Sequence, residues 1–458
     1  MVGCAFYFAL TQEIGMHQGR MDLIRKVSSE ALVMAMVLAI FWPQLSAGQK
    51  VKIKPTTTLQ EQLSNNTSAA DRFRNSSNGN MGSTHVSKVN VHSLLYSGAT
   101  TRVYAHLMPW WGDPRHIDAG YNSHDPEQIR RQIEDMISRG IDGVIIDWYG
   151  FRDLFTNETA LRFVKEVERH PGFTFAIMVD KGAIKLSSCE GCSPQQALSE
   201  QMRYAERTFT SSQSYLRVDG RPVITNFDID HHFPGIEWQR AIADLASPPA
   251  LIFEDADGFS HPLSSGSYAW VRPSTNDLGM GYLNKFYEAG LAHRQLLTIG
   301  AAYKGFDDRM ASWGLNRVMK QDCGQTWLKT FARANDHFGP SRQLDALQLV
   351  TWNDYEEGTE IESGVDNCLA VNADVDHNTI RWTISGEENT VDHFVFYISD
   401  DGKRLMQLDT MDAKARSIDM CSYSLSGGKL VGYVQAVGKP MIRSHMSHPL
   451  TIKAQCGS

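Results

Sequence analysis

The sequence predicts a parallel (β/α)8 barrel followed by an antiparallel β-sandwich of immunoglobulin or fibronectin type. Eight short apolar runs recur between about residues 103 and 352, mostly separated by segments with helical periodicity, as expected for strands covered by helices. After about residue 367 the pattern changes to short alternating strands separated by turns. The 458 residues exceed one ordinary core and therefore accommodate a large and a small domain.

The N-terminal part has the features of an export signal. Arg25 and Lys26 precede the apolar run Ala31 to Trp42, and small residues suited to cleavage follow it. We predict a signal peptide region over residues 1–47, with Met21 as the more conventional start, and a secreted protein, extracellular or periplasmic. The alternative is an uncleaved signal anchor, for which the run is short.

Composition limits the partners. The 52 acidic and 44 basic residues give a net charge of -8, which disfavours binding a nucleic acid. Residues 48–97 are rich in Ser, Asn, Thr and Gly and predict a disordered linker. We expect no integral membrane association once the signal is removed.

The cysteines also suit an exported protein. Removal of Cys4 with the signal leaves six, which allow fifteen pairings. The close pair Cys189 and Cys192 favours a local disulfide, because a lone C-x-x-C lacks the second ligand pair of a structural zinc site.

The barrel domain is predicted over residues 98–365. Its first helix begins at Asp125-Pro126-Glu127, where an N-cap, a first-turn proline and an early acid come together, and it ends at Gly140. The connection from Asp255 to Gly266 is too short for a full helix. Further helices are predicted near 157–169, 194–209, 236–246, 280–293 and 322–338. The predicted strands are Val103 to Pro109, Gly143 to Trp148, Phe173 to Val179, Pro222 to Phe227, Ala250 to Glu254, Tyr268 to Arg272, Leu296 to Ala302 and Leu347 to Trp352.

The sandwich domain is predicted over residues 366–458. Turn residues such as those at 400–402 and 427–428 separate its strands. The predicted strands are Thr379 to Ile384, His393 to Ser399, Arg404 to Asp409, Arg416 to Met420, Leu430 to Ala436 and Pro449 to Ala454.

Rings, acids and amides concentrate at the carboxyl ends of the predicted barrel strands. Active sites of such barrels lie at this end, so these residues are candidates for substrate binding. The candidates from the first seven strand ends are Trp110, Trp111, Asp147, Trp148, Tyr149, Asn226, Asp228, Glu254 and Tyr303.

The eighth strand runs into the most acidic of these segments, residues 351–362. Asp354 and Glu357 stand three residues apart there, although unpaired carboxylates resist burial, and such a conflict usually marks a site. Cleaving a glycosidic bond needs one protonated and one ionised carboxyl close together. We therefore predict Asp354 and Glu357 as a catalytic pair, with Asn353, Tyr355 and Glu362 as substrate-binding neighbours. The alternative is that Asp354 caps a short helix and Glu357 is a solvated acid.

A metal site is the main rival interpretation. The segment Asp228-Ile229-Asp230-His231-His232 offers carboxylates and imidazoles near a strand end. No H-x-H follows the first strand, where a metal-dependent barrel hydrolase would place one. His106 lies on an apolar strand, so we interpret it as a core or substrate-contacting histidine. We expect no metal and no cofactor.

The acidic segment resembles two glycosidase families. Asn353-Asp354-Tyr355-Glu356-Glu357-Gly358-Thr359-Glu360-Ile361-Glu362 is similar to the N-E-W-H-E-G-T-Q-I-E motif of glycoside hydrolase family 99 and to the N-D-Y-G-E motif of family 71. Met108-Pro109-Trp110-Trp111-Gly112 is similar to the Y-P-W-Y-G signature of family 99, and Val103-Tyr104-Ala105-His106 to the V-F-A-H opening of family 71. The resemblance spans about residues 102–365.

This resemblance implies a cofactor-free hydrolase that cuts inside an α-linked polysaccharide, either α-mannan (family 99) or α-1,3-glucan (family 71). In the family 99 pattern Asp354 would assist attack by the substrate's own 2-hydroxyl, Glu357 would protonate the leaving oxygen, and configuration would be retained. In the family 71 pattern the two acids would flank a water and invert the anomer across a gap of roughly 6.5–9.5 Å. Aspartate at position 354 favours family 71. A non-catalytic glycan-binding barrel is the alternative from another class.

Overall fold

The computed structural model describes residues 85–185, 191–402, 404–423, 425 and 430–453. The predicted signal, its apolar run and Cys189 lie outside these residues. The end of the predicted linker, residues 85–97, is ordered: Val86 pairs with Arg443, and Val91, in a 3-10 helix over Val91–Leu94, is fully buried. The burial of these apolar side chains stabilises the segment, whereas residues 48–84 of the predicted linker lie outside the described residues. Within the described residues no helix is both long and apolar enough to cross a membrane.

Eight parallel strands form the barrel, and a two-residue strand, Arg217–Val218, pairs antiparallel with the fourth of them. Apart from the sixth, their largely apolar sequences match their burial on both faces. The strands are β1 (Arg102–Leu107), β2 (Gly143–Trp148), β3 (Thr174–Asp180), β4 (Arg221–Phe227), β5 (Ala250–Glu254), β6 (Ser264–Tyr268), β7 (Leu297–Ala302) and β8 (Ala346–Leu349).

The sheet is closed. Each strand pairs in parallel with the next one in the chain, from β1 to β8. β8 then pairs with β1, with Ala105 opposite Leu349. This closure confirms the predicted (β/α)8 barrel.

Five helices of 13 to 15 residues cover the barrel. The first begins as predicted, with Pro126 in its first turn and the Asp125 carboxylate accepting the N–H of Glu127. The fifth and sixth strands are joined by a 3-10 helix, Ala256–Ser260, in place of a full helix, also as predicted. These five helices are α1 (Pro126–Ser138), α2 (Leu154–Val167), α3 (Pro194–Thr208), α4 (Met280–Ala292) and α5 (Gln325–His337), and shorter helices span Lys181–Lys185, Ile229–His232 and Trp238–Ile242.

The sixth strand lies four residues earlier than predicted. The run Tyr268 to Arg272 attracted the prediction because it is aromatic, whereas β6 itself reads Ser-Ser-Gly-Ser-Tyr. Gly266 is required there because a Cβ would lie 2.4 Å from the Leu297 carbonyl oxygen of β7. The close packing of β6 against β7 requires a small residue at this position, so β6 lacks the β-branched residues by which a strand is recognised in a sequence.

The C-terminal part forms two antiparallel sheets, as predicted. One sheet has the order β9-β10-β13, and the other has the order β12-β11-β14-β15, with β16 also paired to β14. Side chains from both sheets share a core that includes Trp382, Phe394 and Val434. The strands are β9 (Ala370–Asp376), β10 (Thr379–Ser385), β11 (Val391–Ser399), β12 (Met406–Asp412), β13 (Ser417–Asp419), β14 (Leu430–Gly438), β15 (His445–Met446) and β16 (Leu450–Ile452). The first strand, β9, and the short β15 were not predicted.

The barrel and the sandwich are joined by backbone and covalent contacts. Val365, just after the barrel, donates its N–H to Met441 and accepts the N–H of Arg443. A disulfide links Cys323, before α5, to Cys368, before β9. Cys192 takes part in a disulfide, and so does Cys421. The sandwich is therefore fixed to the end of the segment that follows β8.

Candidate active site

A cavity of about 650 Å³ opens where the barrel strands end. Its walls come from residues at or after seven of the eight strands, so the sheet closure itself brings them together. Both residues of the predicted catalytic pair, Asp354 and Glu357, line it. Four other predicted site residues do so too: Trp110, Asp147, Tyr149 and Asp228.

Residues 351–362, here called the acidic turn, fold back on themselves after β8. Asp354 is almost fully buried, and one of its carboxylate oxygens accepts the N–H groups of Glu356 and Glu357 at 3.0 and 2.9 Å. This is the capping role of the alternative interpretation, yet the same side chain lines the cavity. Capping and exposure to the cavity are compatible, because a carboxylate has several acceptor sites.

The acidic turn is fastened to the end of β1 by Asn353. Its amide oxygen accepts the N–H of Met108 at 2.8 Å, and its amide nitrogen donates to the Met108 carbonyl at 3.0 Å. Glu362 is held by the Tyr121 and Tyr355 hydroxyls and by the Gln132 amide. Asn353, Tyr355 and Glu362, predicted to bind substrate, thus hold the acidic turn in place and lie behind the cavity wall.

Four further candidates also lie outside the cavity lining. Trp148 donates its indole N–H to Asn157 of α2 and stacks on Tyr204 of α3, so it faces the helices. Asn226 donates to the Ile252 carbonyl, and Tyr303 donates to the Leu278 carbonyl. Trp111 is fully buried against Tyr355. These side chains are hydrogen-bonded or packed within the protein, and Asn226 also lines a second, neighbouring cavity.

Glu254 lies in a neighbouring cavity of about 410 Å³ that shares Asp228 with the first. Arg272 pairs with Glu254 at 3.0 Å and also with Asp255. Burial raises the pKa of Glu254 to about 7, and neighbouring Asp255 contributes.

Glu357 has the electrostatic setting of an acid that is protonated near neutrality. Burial is the main factor that raises its pKa, to about 7, and the charges of Asp308 and Glu356 add to it. A hydrogen bond with Trp313 and the charge of Arg317 act in the opposite direction. The pKa of Asp354 is raised well above its usual value, first by burial and then by Glu357.

Two more carboxyls join this pair. Asp147 at the end of β2 is buried, and burial followed by the charges of Asp180, Asp354 and Glu357 raises its pKa well above the usual range. Burial also raises the pKa of Asp180, at the end of β3, to about 6, against a hydrogen bond from the Gly182 N–H. Asp180 was not among the predicted site residues.

Rings form one wall of the cavity. Trp110 stacks on His116 with centroids 4.6 Å apart, and His116 in turn hydrogen-bonds the buried Glu356 at 2.8 Å. Trp313 packs edge-on against Trp110 and is 45% exposed. His116, Glu356 and Trp313 were missed, because His116 and Trp313 lie on irregular loops and Glu356 is one of many acids in its segment.

Trp313 is presented by residues 306–319, here called the Trp313 loop. Two short strands, Phe306–Asp307 and Val318–Met319, close its base. Asp308, fully buried, accepts the N–H groups of Leu315 and Arg317. Asp307 donates its N–H to the Glu357 carbonyl at 2.7 Å, which joins the loop to the acidic turn.

Asp228, His231 and His232 could hold a cation, since their donor atoms lie within 4.8 Å of one another. Asp228 already pairs with Lys181, and His231 is 87% exposed. The donor set is thus partly occupied by a lysine and open to solvent, which disfavours tight metal binding.

No protein-family model matches the chain, and no curated protein matches it. Similar solved structures include a GH99 endo-α-mannosidase from Bacteroides thetaiotaomicron, with 17% identity, a TM-score of 0.46, and coverage of 57% of this chain and 86% of that one. A second structure of such an enzyme from the same organism has a TM-score of 0.45, again with 17% identity over 57% of this chain and 87% of that one. A glycoside hydrolase-like protein has 13% identity and a TM-score of 0.40, over 57% and 86% of the chains.

Proposed function

We propose that this protein is a glycoside hydrolase that cleaves an α-linked glycan, with Asp354 and Glu357 as its carboxylate pair. One observation carries the proposal: Glu357, whose pKa is raised to about 7, lies beside Asp354 in a ring-walled cavity at the carboxyl end of a (β/α)8 barrel. A carboxyl with this pKa can donate a proton near neutral pH and later recover it.

Glu357 serves as the general acid that protonates the leaving oxygen. Asp354, oriented by two backbone N–H groups, is the partner that activates either a water or the substrate's 2-hydroxyl. The similarity of the acidic segment to the motifs of families 99 and 71 supports an α-linked polymer, α-mannan or α-1,3-glucan, and action within the chain.

We also propose that the protein is secreted. The basic and apolar pattern before residue 47 supports export, and the Cys323–Cys368 disulfide suits an oxidising compartment.

The test is the release of reducing ends from α-1,3-glucan and α-mannan by the purified protein and by Glu357→Gln. Removal of the general acid should lower turnover by about 10²- to 10⁴-fold without unfolding the protein. Glu158→Gln, a surface carboxylate on α2, is the matched control and should behave as the wild type.

The outcomes separate the alternatives. If neither polymer is cut but the protein still binds either glycan, the glycan-binding interpretation replaces the catalytic one. Activity that disappears with a chelator would support the metal interpretation instead. Proton NMR of the first product released distinguishes retention from inversion.

A further inference from the structure

The cavity contains more acid than the proposed hydrolysis requires. Within the described residues, Asp147, Asp180, Asp354 and Glu357 all line it, and none forms an ion pair with a basic side chain. Hydrolysis uses two carboxyls that share one proton. Two buried acids, Asp147 and Asp180, are therefore left without an assigned role.

The basic side chains of the lining are already neutralised. Lys181 pairs with Asp228, Arg272 pairs with Glu254 and Asp255, and Arg317 pairs with Asp308 at 2.8 Å. The histidine of β1 adds no charge either, because burial lowers the pKa of His106 to about 3. His116, also in the lining, pairs with Glu356 at 2.8 Å, so among the described residues no charged basic side chain of the lining is left to balance the four acids.

Asp147 places a buried carboxylate oxygen without a partner in the cavity lining. Its side chain is only 5% exposed, and its Oδ1 has no hydrogen-bond partner. Both ring nitrogens of His106, which lines the same cavity, are also buried without a partner. Buried polar atoms without partners are rare and costly, so their concentration in one cavity points to a bound molecule that satisfies them.

We propose that the cavity binds a glycan whose sugar carries a free amino group, and that Asp147, with Asp180 beside it, is the counter-ion of that ammonium. This rests on the proposed function, which it narrows to an amino-sugar substrate. An ammonium group supplies both the missing positive charge and hydrogen-bond donors for the Asp147 oxygen. The raised pKa values of the acids support it, since binding a cation would release protons from the cavity.

A neutral glycan fits the charges less well. It would leave Asp147 and Asp180 to be neutralised by protons alone while one of the catalytic pair must stay ionised beside them. The rival role for Asp147 is general stabilisation of positive charge in the transition state, which would act on neutral and amino sugars alike.

The experiment measures binding to the full-length protein by calorimetry. The probes are methyl α-glycosides of the gluco, manno and galacto series, each with a 2-amino, a 2-acetamido or a 2-hydroxyl group. In at least one series the amine should bind about tenfold or more tightly than both neutral forms, the effect of one charge-assisted hydrogen bond. Repeating the titration in buffers of different ionisation enthalpy should show proton release with the amine only.

Asp147→Asn tests the assigned residue. This variant should reduce the amine preference to about twofold or less, whereas Asp244→Asn, which removes an equal charge from an exposed site, should preserve it. The inference is overturned if no amine binds, if neutral sugars bind as tightly in every series, or if the preference survives in Asp147→Asn.

The two proposals fail separately. Cleavage of α-1,3-glucan or α-mannan by a protein with no amine preference would keep the proposed function and remove this inference. Asp147-dependent amine binding would do the reverse if the protein releases reducing ends neither from these two polymers nor from an α-linked polymer of 2-amino sugars.

Discussion

Four carboxyl groups that face one cavity cannot all be ionised at neutral pH, since each added charge raises the cost of the next. Asp147, Asp180, Asp354 and Glu357 form such a group, and burial raises the pKa of every member. The state of the site therefore changes over the pH range in which a hydrolase works.

This arrangement makes Asp147 a destabilising residue at alkaline pH. Because its folded pKa is above its unfolded value, its contribution to the free energy of unfolding falls as the pH rises from about 4 towards the folded pKa, by about 1.4 kcal/mol per unit. Asp147→Asn should therefore raise the thermal midpoint more at about pH 8 than at about pH 5. Asp244→Asn is the exposed control, and an equal shift at both pH values for Asp147→Asn would contradict the prediction.

Trp313 influences the pKa of Glu357, the proposed general acid. Its hydrogen bond to Glu357 lowers the pKa of that carboxyl, so Trp313→Phe should raise it by about half a unit. The proposed general acid must be protonated to act, so the alkaline limb of the kcat/KM profile should move to higher pH. Leu315→Ala, on the same loop and 73% exposed, is the control, and a limb that stays in place in Trp313→Phe would show that the hydrogen bond has no such effect.

Strand parity explains which candidates at the strand ends line the cavity. Successive side chains alternate in direction, so Asp147 faces the cavity and Trp148 faces the helices. Both residues were predicted to bind substrate, because composition alone does not tell which of the last two side chains of a strand faces the cavity. His116 and Trp313 could not be predicted, since nothing in an irregular loop states where its side chains return to the barrel.

At the scale of elements, the acidic turn depends on groups well away from the cavity. The guanidinium of Arg139, at the end of α1, donates to the carbonyls of Ile361 and Glu362 at 2.9 Å each. Lys304 and Glu360, both fully buried, form an ion pair at 2.7 Å. The position of Asp354 and Glu357 is thus set partly by residues of α1 and of the segment after β7.

The buried ion pair should be costly to break. Lys304→Met leaves the Glu360 carboxylate without this cation and should lower the free energy of unfolding by about 3 to 5 kcal/mol. The double variant Lys304→Met/Glu360→Gln should recover part of that loss. Urea unfolding gives the values, and Lys329→Met, which breaks the exposed pair with Asp322, should cost less than about 1 kcal/mol. Equal losses in Lys304→Met and Lys329→Met would refute the prediction.

Element boundaries were predictable where periodicity and caps coincide and not where packing decides. The start of α1 was predictable from Asp125 and Pro126. The absence of a full helix before β6 was predictable because the connection is short. β6 was misplaced because a strand of serines and one glycine carries no β-forming signal. Strand β9 was missed for a similar reason, because polar and acidic residues alternate with small apolar ones in it and much of the strand is exposed.

At the scale of the whole molecule, the fold class was predictable because eight apolar runs and their helical spacers are a strong combined pattern. The contact between barrel and sandwich was not, because it rests on pairings far apart in sequence, such as Val365 with Met441.

The Cys323–Cys368 disulfide closes a segment with a sequence separation of 45 residues that includes α5, β8 and the acidic turn. In the chain-entropy treatment such a link contributes about 4 kcal/mol. The Cys323→Ser/Cys368→Ser variant should therefore show a lower thermal midpoint by circular dichroism while its fold at ambient temperature is kept. An unchanged midpoint would show that the sandwich contacts alone fix this segment.

The proposed catalytic pair follows β8, the last strand of the barrel to leave the ribosome. Until β8 emerges, β1 and β7 are both free edges of an open sheet, exposed to pairing with another chain. The nascent protein therefore has neither a closed barrel nor its acid pair until some 350 residues have been made. The proposed catalytic pair and the closure that protects the sheet edges are therefore completed together, late in synthesis.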